Sequence, residues 1–122
     1  MARAIPREDG MAALRAWAAD PAGAGRSVVA TAVRWTLQTL ASDAPGRSVE
    51  VRVPPWGAVQ CIAGPRHTRG TPPNVVEMSP AVWLALAVGD VTWDESTARG
   101  EIAASGERAD ISHWLPLVRI SK

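Results

Sequence analysis

One short polar segment carries the side chains best suited to chemistry. In residues 64–73, Arg66, His67 and Arg69 lie close together among glycines and prolines. Guanidinium and imidazole groups donate hydrogen bonds to anions, and glycine lets backbone N–H groups approach an anion closely. The segment therefore predicts either a pocket for a carboxylate, phosphate or other anionic headgroup, or a solvated loop whose arginines pair with nearby carboxylates.

The single cysteine raises the question of nucleophilic catalysis. Cys61 falls in a predicted strand shortly before His67, and the two would form a nucleophile and its base if the loop folded back. A reactive thiolate needs a neighbouring cation or a helix N-terminus, whereas a cysteine in a strand is usually a small buried hydrophobic residue. Burial is the favoured interpretation of Cys61, and His67 as a general acid or base remains an alternative.

Other catalytic and metal-binding signatures are missing. Residues 20–27 superficially match the end of a phosphate-binding P-loop, but they lack its lysine and follow a predicted helix where a strand is required. His67 and His113 have no second ligand at metal spacing, and one cysteine excludes a disulfide framework and a paired-cysteine zinc site. No catalytic residue, metal or cofactor is predicted, and a non-catalytic role is favoured.

Composition places the chain among single globular domains. It has 122 residues, of which 47% are hydrophobic and 20% charged, and its net charge is +1. This balance lacks the positive excess of a dedicated nucleic-acid binder. The longest apolar run, residues 81–88, is far shorter than the roughly 20 residues that cross a bilayer. We expect one cytoplasmic domain over residues 1–122, with no nucleic-acid partner and no stable membrane insertion.

Hydrophobic periodicity divides this domain into a helical part, residues 1–46, and a part with a sheet and further helices, residues 47–122. Helical spacing predicts one helix over residues 8–20 and a second that begins at Ser27 as its N-cap. Valines at positions 49, 51 and 53 alternate with Glu50 and Arg52, which predicts a strand with one wet face. Residues 58–63 are expected to pair antiparallel with it.

The second part continues with short elements bounded by clear capping residues. Ser79 and Pro80 suit the start of a helix and Gly89 suits its end, and all the residues between Pro80 and Gly89 are apolar. Such a helix must be covered on several sides, by protein or by ligand. A capping box over residues 92–95 predicts the next helix. Residues 101–105 are predicted as a strand containing Ile102, and Asp110 as the cap of a last helix before Pro116.

The order of these elements resembles the sterol carrier protein (type two) superfamily, and its small bacterial branch in particular. The resemblance covers residues 49–118, including the apolar segment 83–89, the glycine-flanked strand at 100–106 and the runs 51–61 and 65–73. It implies an α+β fold that is sterol-carrier-like, with a small, mostly antiparallel five-stranded sheet and helices packed on one face. It also implies an apolar tunnel between the two layers.

The resemblance further implies a carrier that holds a sterol, fatty acid or acyl chain without catalysing a reaction. Two features depart from the longer carriers: Pro116 shortens the C-terminal helix that closes their tunnel, and the loop at residues 64–73 has no counterpart in them. Our leading hypothesis adds to the resemblance that Arg66, His67 and Arg69 of this loop meet an anionic head. Carried over by position, the implied tunnel wall is Val51, Val53, Ile62, Trp83, Leu86, Ala87, Ile102 and Leu115.

Two other functions stay open at this point. The loop at residues 64–73 could form a small enzyme active site or an anion-binding site. Alternatively, the apolar helix or a free edge of the sheet could meet a partner chain, which leaves both a monomer and a homodimer open. The expected partner of the carrier hypothesis is an apolar small molecule or lipid.

Overall fold

The computed structural model describes residues 3–64 and 74–120 of the chain. The predicted α+β class is confirmed, with helices before and between the strands of one sheet. In chain order the elements are α1 (Arg7–Ala19), α2 (Arg26–Asp43), β1 (Val49–Val53), β2 (Gly57–Cys61), β3 (Asn74–Glu77), α3 (Pro80–Val88), α4 (Trp93–Ala98), β4 (Ala103–Ser105) and a single 3-10 turn (Ser112–Trp114).

The sheet differs from its prediction in strand number and direction. The described ranges contain four strands instead of five, in the spatial order β2-β1-β3-β4. Strand β1 pairs antiparallel with β2 and parallel with β3, and β3 pairs antiparallel with β4. Strand β2 ends and β3 begins beside the start of β1, since Val49 pairs with both Cys61 and Asn74, so β3 runs parallel to β1 on its other side. The sheet is therefore mixed.

The predicted alternation along β1 is confirmed. Val51 and Val53 are buried, and Val51 lies opposite Val76 of β3 on the same face. Glu50 and Arg52 point to the other face, where their side chains form an ion pair at 2.6 Å. The buried face joins residues of α1, α2 and α3 in one hydrophobic core, so helices cover one face of the sheet.

Capping residues set the ends of α3 as predicted, whereas the start of α2 was placed wrongly. The Ser79 hydroxyl accepts a hydrogen bond from Val82 N at 3.2 Å, and Gly89 ends α3 in the left-handed conformation with φ 83°. Helix α2 begins at Arg26, with Gly25 in the extended conformation of an N-cap and no side-chain cap. Ser27 consequently lies inside the first turn and does not cap the helix.

The C-terminal part is less regular than predicted. Strand β4 begins at Ala103, so Ile102 precedes it instead of lying within it. The expected last helix is only the 3-10 turn at Ser112–Trp114, and Asp110 accepts a hydrogen bond from Ser112 N at 2.8 Å. Pro116 follows one residue after the turn, and because proline has no N–H to donate, the turn does not extend into a helix.

Protein atoms cover most of the all-apolar helix α3, and its more exposed side carries the small residues Ala81 and Ala85. Trp83, Leu84 and Ala87 are fully buried in the common core. The indole Nε1–H of Trp83 donates a 2.8 Å hydrogen bond to the hydroxyl of Thr36 on α2, and that hydroxyl donates to the Ala32 carbonyl at 2.7 Å. Thr36 is itself fully buried. This polar contact between helices is surrounded by apolar side chains, so it fixes how α3 lies against α2.

Replacing Thr36 with valine is expected to lower the free energy of unfolding by about 1–3 kcal/mol, because the Trp83 indole N–H then lacks an acceptor in the core. Thr36→Ser keeps the acceptor and should recover most of that free energy. Thr39→Val is the matched control: the half-buried Thr39 hydroxyl donates only to the Trp35 carbonyl, at 2.9 Å. Both free energies of unfolding can be measured by urea unfolding. An equal loss in Thr36→Val and Thr39→Val would contradict the role of Thr36 as the acceptor for Trp83.

Candidate functional site

A pocket of about 370 Å³ lies where α3 ends. Three segments build it: the last turn of α3 with Gly89, residues 91–94 at the start of α4, and residues 112–119 of the C-terminal segment. These segments are short and irregular, so their relative positions depend on a few backbone hydrogen bonds.

The C-terminal segment is held by a carbonyl at the end of α3. The last carbonyls of a helix have no partner within it. The Ala87 carbonyl accepts hydrogen bonds from Leu117 N at 2.8 Å and Val118 N at 3.1 Å. The left-handed turn at Gly89 then carries the chain away toward α4. As a result, Leu115 and Pro116 face the end of α3 across the pocket.

A capping box fixes the opposite wall. Thr92 N donates to the Glu95 carboxylate at 2.8 Å, and Glu95 N donates to the Thr92 hydroxyl at 3.1 Å. The hydrogen bonds from the Thr92 backbone and then from its side chain hold the pKa of the Glu95 carboxyl below its ordinary value. This arrangement places Trp93 and Asp94, the first two residues of α4, in the pocket wall.

The pocket combines an apolar surface with separate charged groups. Leu86, Val91 and Trp93 contribute apolar side chains. Asp94 and Arg119 also line the pocket, and within the described ranges neither makes an ion pair. A space with this composition suits a ligand that has an apolar body and a polar end.

The structure brings together two of the residues predicted for the tunnel wall. Leu86 and Leu115 line the pocket. Ile62 and Ile102 are half-buried and pack against the edge of the core. The remaining residues are fully buried within the core: Val51, Val53, Trp83 and Ala87.

The predicted polar head-binding residues Arg66, His67 and Arg69 lie outside the described residues. The residues on either side of that segment meet at Ser48. The Ser48 hydroxyl donates to the Ile62 carbonyl at 2.6 Å, and the Asn74 side-chain amide donates to the Ser48 carbonyl at 2.7 Å. Ser48 therefore holds the chain in place both before and after residues 65–73.

Comparison with known proteins places the chain in a family. The family model described as bacterial SCP ortholog matches residues 25–117, about three quarters of the chain. The chain belongs to this family. The resemblance to the bacterial branch of sterol carrier proteins is thereby confirmed. No curated protein gives a significant match.

This bacterial SCP family member shows pocket residues that the sequence did not reveal. Val91, Trp93, Asp94, Ser112 and Arg119 were not predicted as site residues, yet all of them line the pocket. One local signal pointed to the place: the capping box starts directly after the glycine that ends an all-apolar helix. Their convergence depends on the C-terminal segment folding back onto α3, for which the sequence carries no local signal.

The described part of the SCP family chain offers little for nucleophilic, metal or membrane-spanning roles. Cys61 is fully buried, and burial raises the pKa of its thiol to about 11. In residues 3–64 and 74–120, no cluster of three histidine, cysteine or acidic side chains could hold a metal ion. Across the same ranges, no helix has the length and hydrophobicity needed to cross a bilayer.

Cys61 is expected to resist alkylation in the folded SCP family protein. At pH 8 its thiol stays protonated and inaccessible, so reaction with iodoacetamide should be at least about 100-fold slower than in the urea-unfolded chain. The rate should rise toward pH 11, since the thiolate forms only there. The control is Gln60→Cys in a Cys61→Ala background, which moves the thiol to the exposed face of β2 and should react rapidly. Similar rates for the two folded proteins would contradict this placement.

Proposed function

We propose that this SCP family protein is a non-catalytic carrier or binding protein for an apolar small molecule with a polar head, such as a fatty acid. The pocket at the end of α3 would receive the apolar part. The observation that carries this proposal is the composition of the pocket: Leu86, Trp93 and Leu115 form an apolar surface, and Arg119 supplies a cation without an ion pair in the described ranges.

The size of the pocket favours a modest ligand. A volume of about 370 Å³ is near the lower end of the range for small-molecule sites, roughly 300–1,000 Å³. A tail of about 10 carbons would gain about 0.8 kcal/mol for each buried CH₂ group, less the cost of its immobilisation. A longer or bulkier apolar body would have to displace the packed core side chains Val51, Val53, Trp83 and Ala87.

We propose that the loop singled out in the sequence supplies further groups for the polar head, in addition to Arg119 of the pocket. Arg66, His67 and Arg69 offer donors for a carboxylate or phosphate head. Family membership supports a lipid-type ligand, because the sterol carrier proteins that the chain resembles hold sterols, fatty acids or acyl chains. The apolar wall and the loop would then divide recognition, with the wall selecting the length of the tail and the loop selecting its head.

Placing a charge on the apolar wall should reduce binding. Val91→Asp puts a carboxylate in the pocket, where it would lose hydration and repel an anionic ligand, so decanoate affinity should fall by about tenfold or more. Val75→Asp is the matched control, because Val75 is equally half-buried but lies on β3 away from the pocket. Titration calorimetry with decanoate, after solvent extraction of any co-purified lipid, gives both affinities.

Native mass spectrometry of the protein as purified complements this titration. An adduct of lipid or acyl mass supports the proposal and identifies the class of ligand. A polypeptide without an adduct that also binds neither added decanoate nor acyl-CoA would contradict the proposal. Equal decanoate affinities of the two aspartate variants would contradict it as well.

The head-binding assignment has a separate test. Replacing both Arg66 and Arg69 with alanine should weaken decanoate binding by about tenfold while leaving decanol binding within about twofold, because only the carboxylate would use the guanidinium groups. Arg15→Ala removes one exposed cation on α1, outside the loop and the pocket, and serves as the control. Unchanged decanoate affinity in the double variant would overturn the role of the loop, whereas the proposed binding of the tail in the apolar pocket would be unaffected.

Two further measurements address the two alternatives. An active site on the loop with His67 as acid or base predicts a perturbed pKa for that imidazole, which NMR titration measures. A homodimer that uses the apolar helix or a free sheet edge predicts a sedimentation coefficient that depends on protein concentration.

A further inference from the structure

A second groove lies away from the lipid pocket, on the side of α2. It has a volume of about 920 Å³ and runs between residues 3–6, which precede α1, and Trp56 in the turn from β1 to β2. Thr31, Arg34 and Gln38 of α2 line it between these two walls. None of its lining residues belongs to the pocket at the end of α3.

Side-chain hydrogen bonds hold both walls of the groove on α2. The Gln38 carbonyl oxygen accepts a hydrogen bond from Ile5 N at 3.0 Å, and its amide nitrogen donates to the Arg3 carbonyl at 3.1 Å. Across the groove, Arg34 Nε donates to the Trp56 carbonyl at 3.0 Å. These contacts leave the terminal nitrogens of the Arg34 guanidinium available as donors.

Positive charge is concentrated around this groove. The guanidinium carbons of Arg26 and Arg34 lie 5.4 and 5.8 Å from the centre of the Trp56 ring, both within range of a cation–π contact. Arg3 and Arg34 line the groove, Arg26 lies beside it over the Trp56 ring, and Asp9 is the one carboxylate in the lining. None of the three arginines makes an ion pair with a described residue. Three guanidinium groups against one carboxylate leave about two positive charges without compensation.

We propose that this groove binds a small organic phosphate. A phosphomonoester carries a charge of about −1.5 to −2 at pH 7, which matches the uncompensated charge. Arginine suits this group because its planar fork of N–H donors fits two phosphate oxygens at once. Ile5, Pro6 and Trp56 supply apolar surface for the organic body of the ligand. The inference stands on the groove alone and does not depend on the lipid-binding proposal.

Phenyl phosphate is the probe for this site. We expect it to shift the indole N–H signal of Trp56 in NMR spectra, assigned by its loss in Trp56→Phe, and to bind measurably in titration calorimetry at low ionic strength. Phenylacetate, with a similar body and a single charge, should bind more weakly. Raising the salt concentration should weaken binding of phenyl phosphate, since its contacts are ionic and exposed.

Replacing one arginine at a time with glutamine tests whether the arginines bind the phosphate. Arg26→Gln should weaken phenyl phosphate binding by about tenfold, and Arg34→Gln by at least as much. Arg26 is the cleaner test, because Arg34 also supports Trp56 through its Nε–H. Arg108→Gln is the control: Arg108 follows β4, at the edge of the sheet opposite β2, and the variant loses the same charge.

The experiment separates four results. Binding that depends on Arg26 and Arg34 and not on Arg108 supports the phosphate site. The absence of any Trp56 shift at millimolar phenyl phosphate overturns it, and so does an equal effect of all three glutamine variants. Binding to phosphatidylglycerol vesicles without binding to phenyl phosphate would also overturn it, because the groove would then recognise a lipid surface.

Discussion

The hydrogen bond between Trp83 and Thr36 is the contact on which the arrangement of the helices depends. Helix α3 is apolar all round, so it has no polar face whose exposure would set its rotation about its axis. Burying an indole N–H, in contrast, costs substantial free energy unless an acceptor lies in the direction of the N–H bond. Thr36 is that acceptor, at 2.8 Å, and the rotation of α3 follows from it.

The position of the pocket beside Gly89 follows from the end of this helix. Carbonyls in the last turn need donors from elsewhere in the chain. Ala87 obtains them from Leu117 and Val118, so the C-terminal segment lies against α3. The capping box at Thr92 starts α4 on the other side of Gly89. The space between these three segments is the pocket, which explains why much of its wall is irregular backbone at the ends of elements.

The two concave sites differ in chemistry because different parts of the fold build them. The pocket at the end of α3 borders the hydrophobic core, and Leu86, a core residue, lines it. The groove beside Trp56 lies on the outer side of α2, where arginines are exposed to solvent. Membership of the bacterial SCP family fits the first site, whereas the second rests on charges and contacts of this chain.

The sequence by itself determined the features that neighbouring residues control. The valine alternation in β1 and the caps at Ser79, Gly89 and Thr92 were readable because each depends on residues a few positions apart. Tertiary structure alone decided the parallel pairing of β1 with β3 and which predicted tunnel residues reach a pocket. Leu86 lines a pocket and Trp83 does not, although both are apolar residues of the same helix. Local patterns mark a residue as apolar, but only contacts between distant segments determine whether it faces core atoms or an open space.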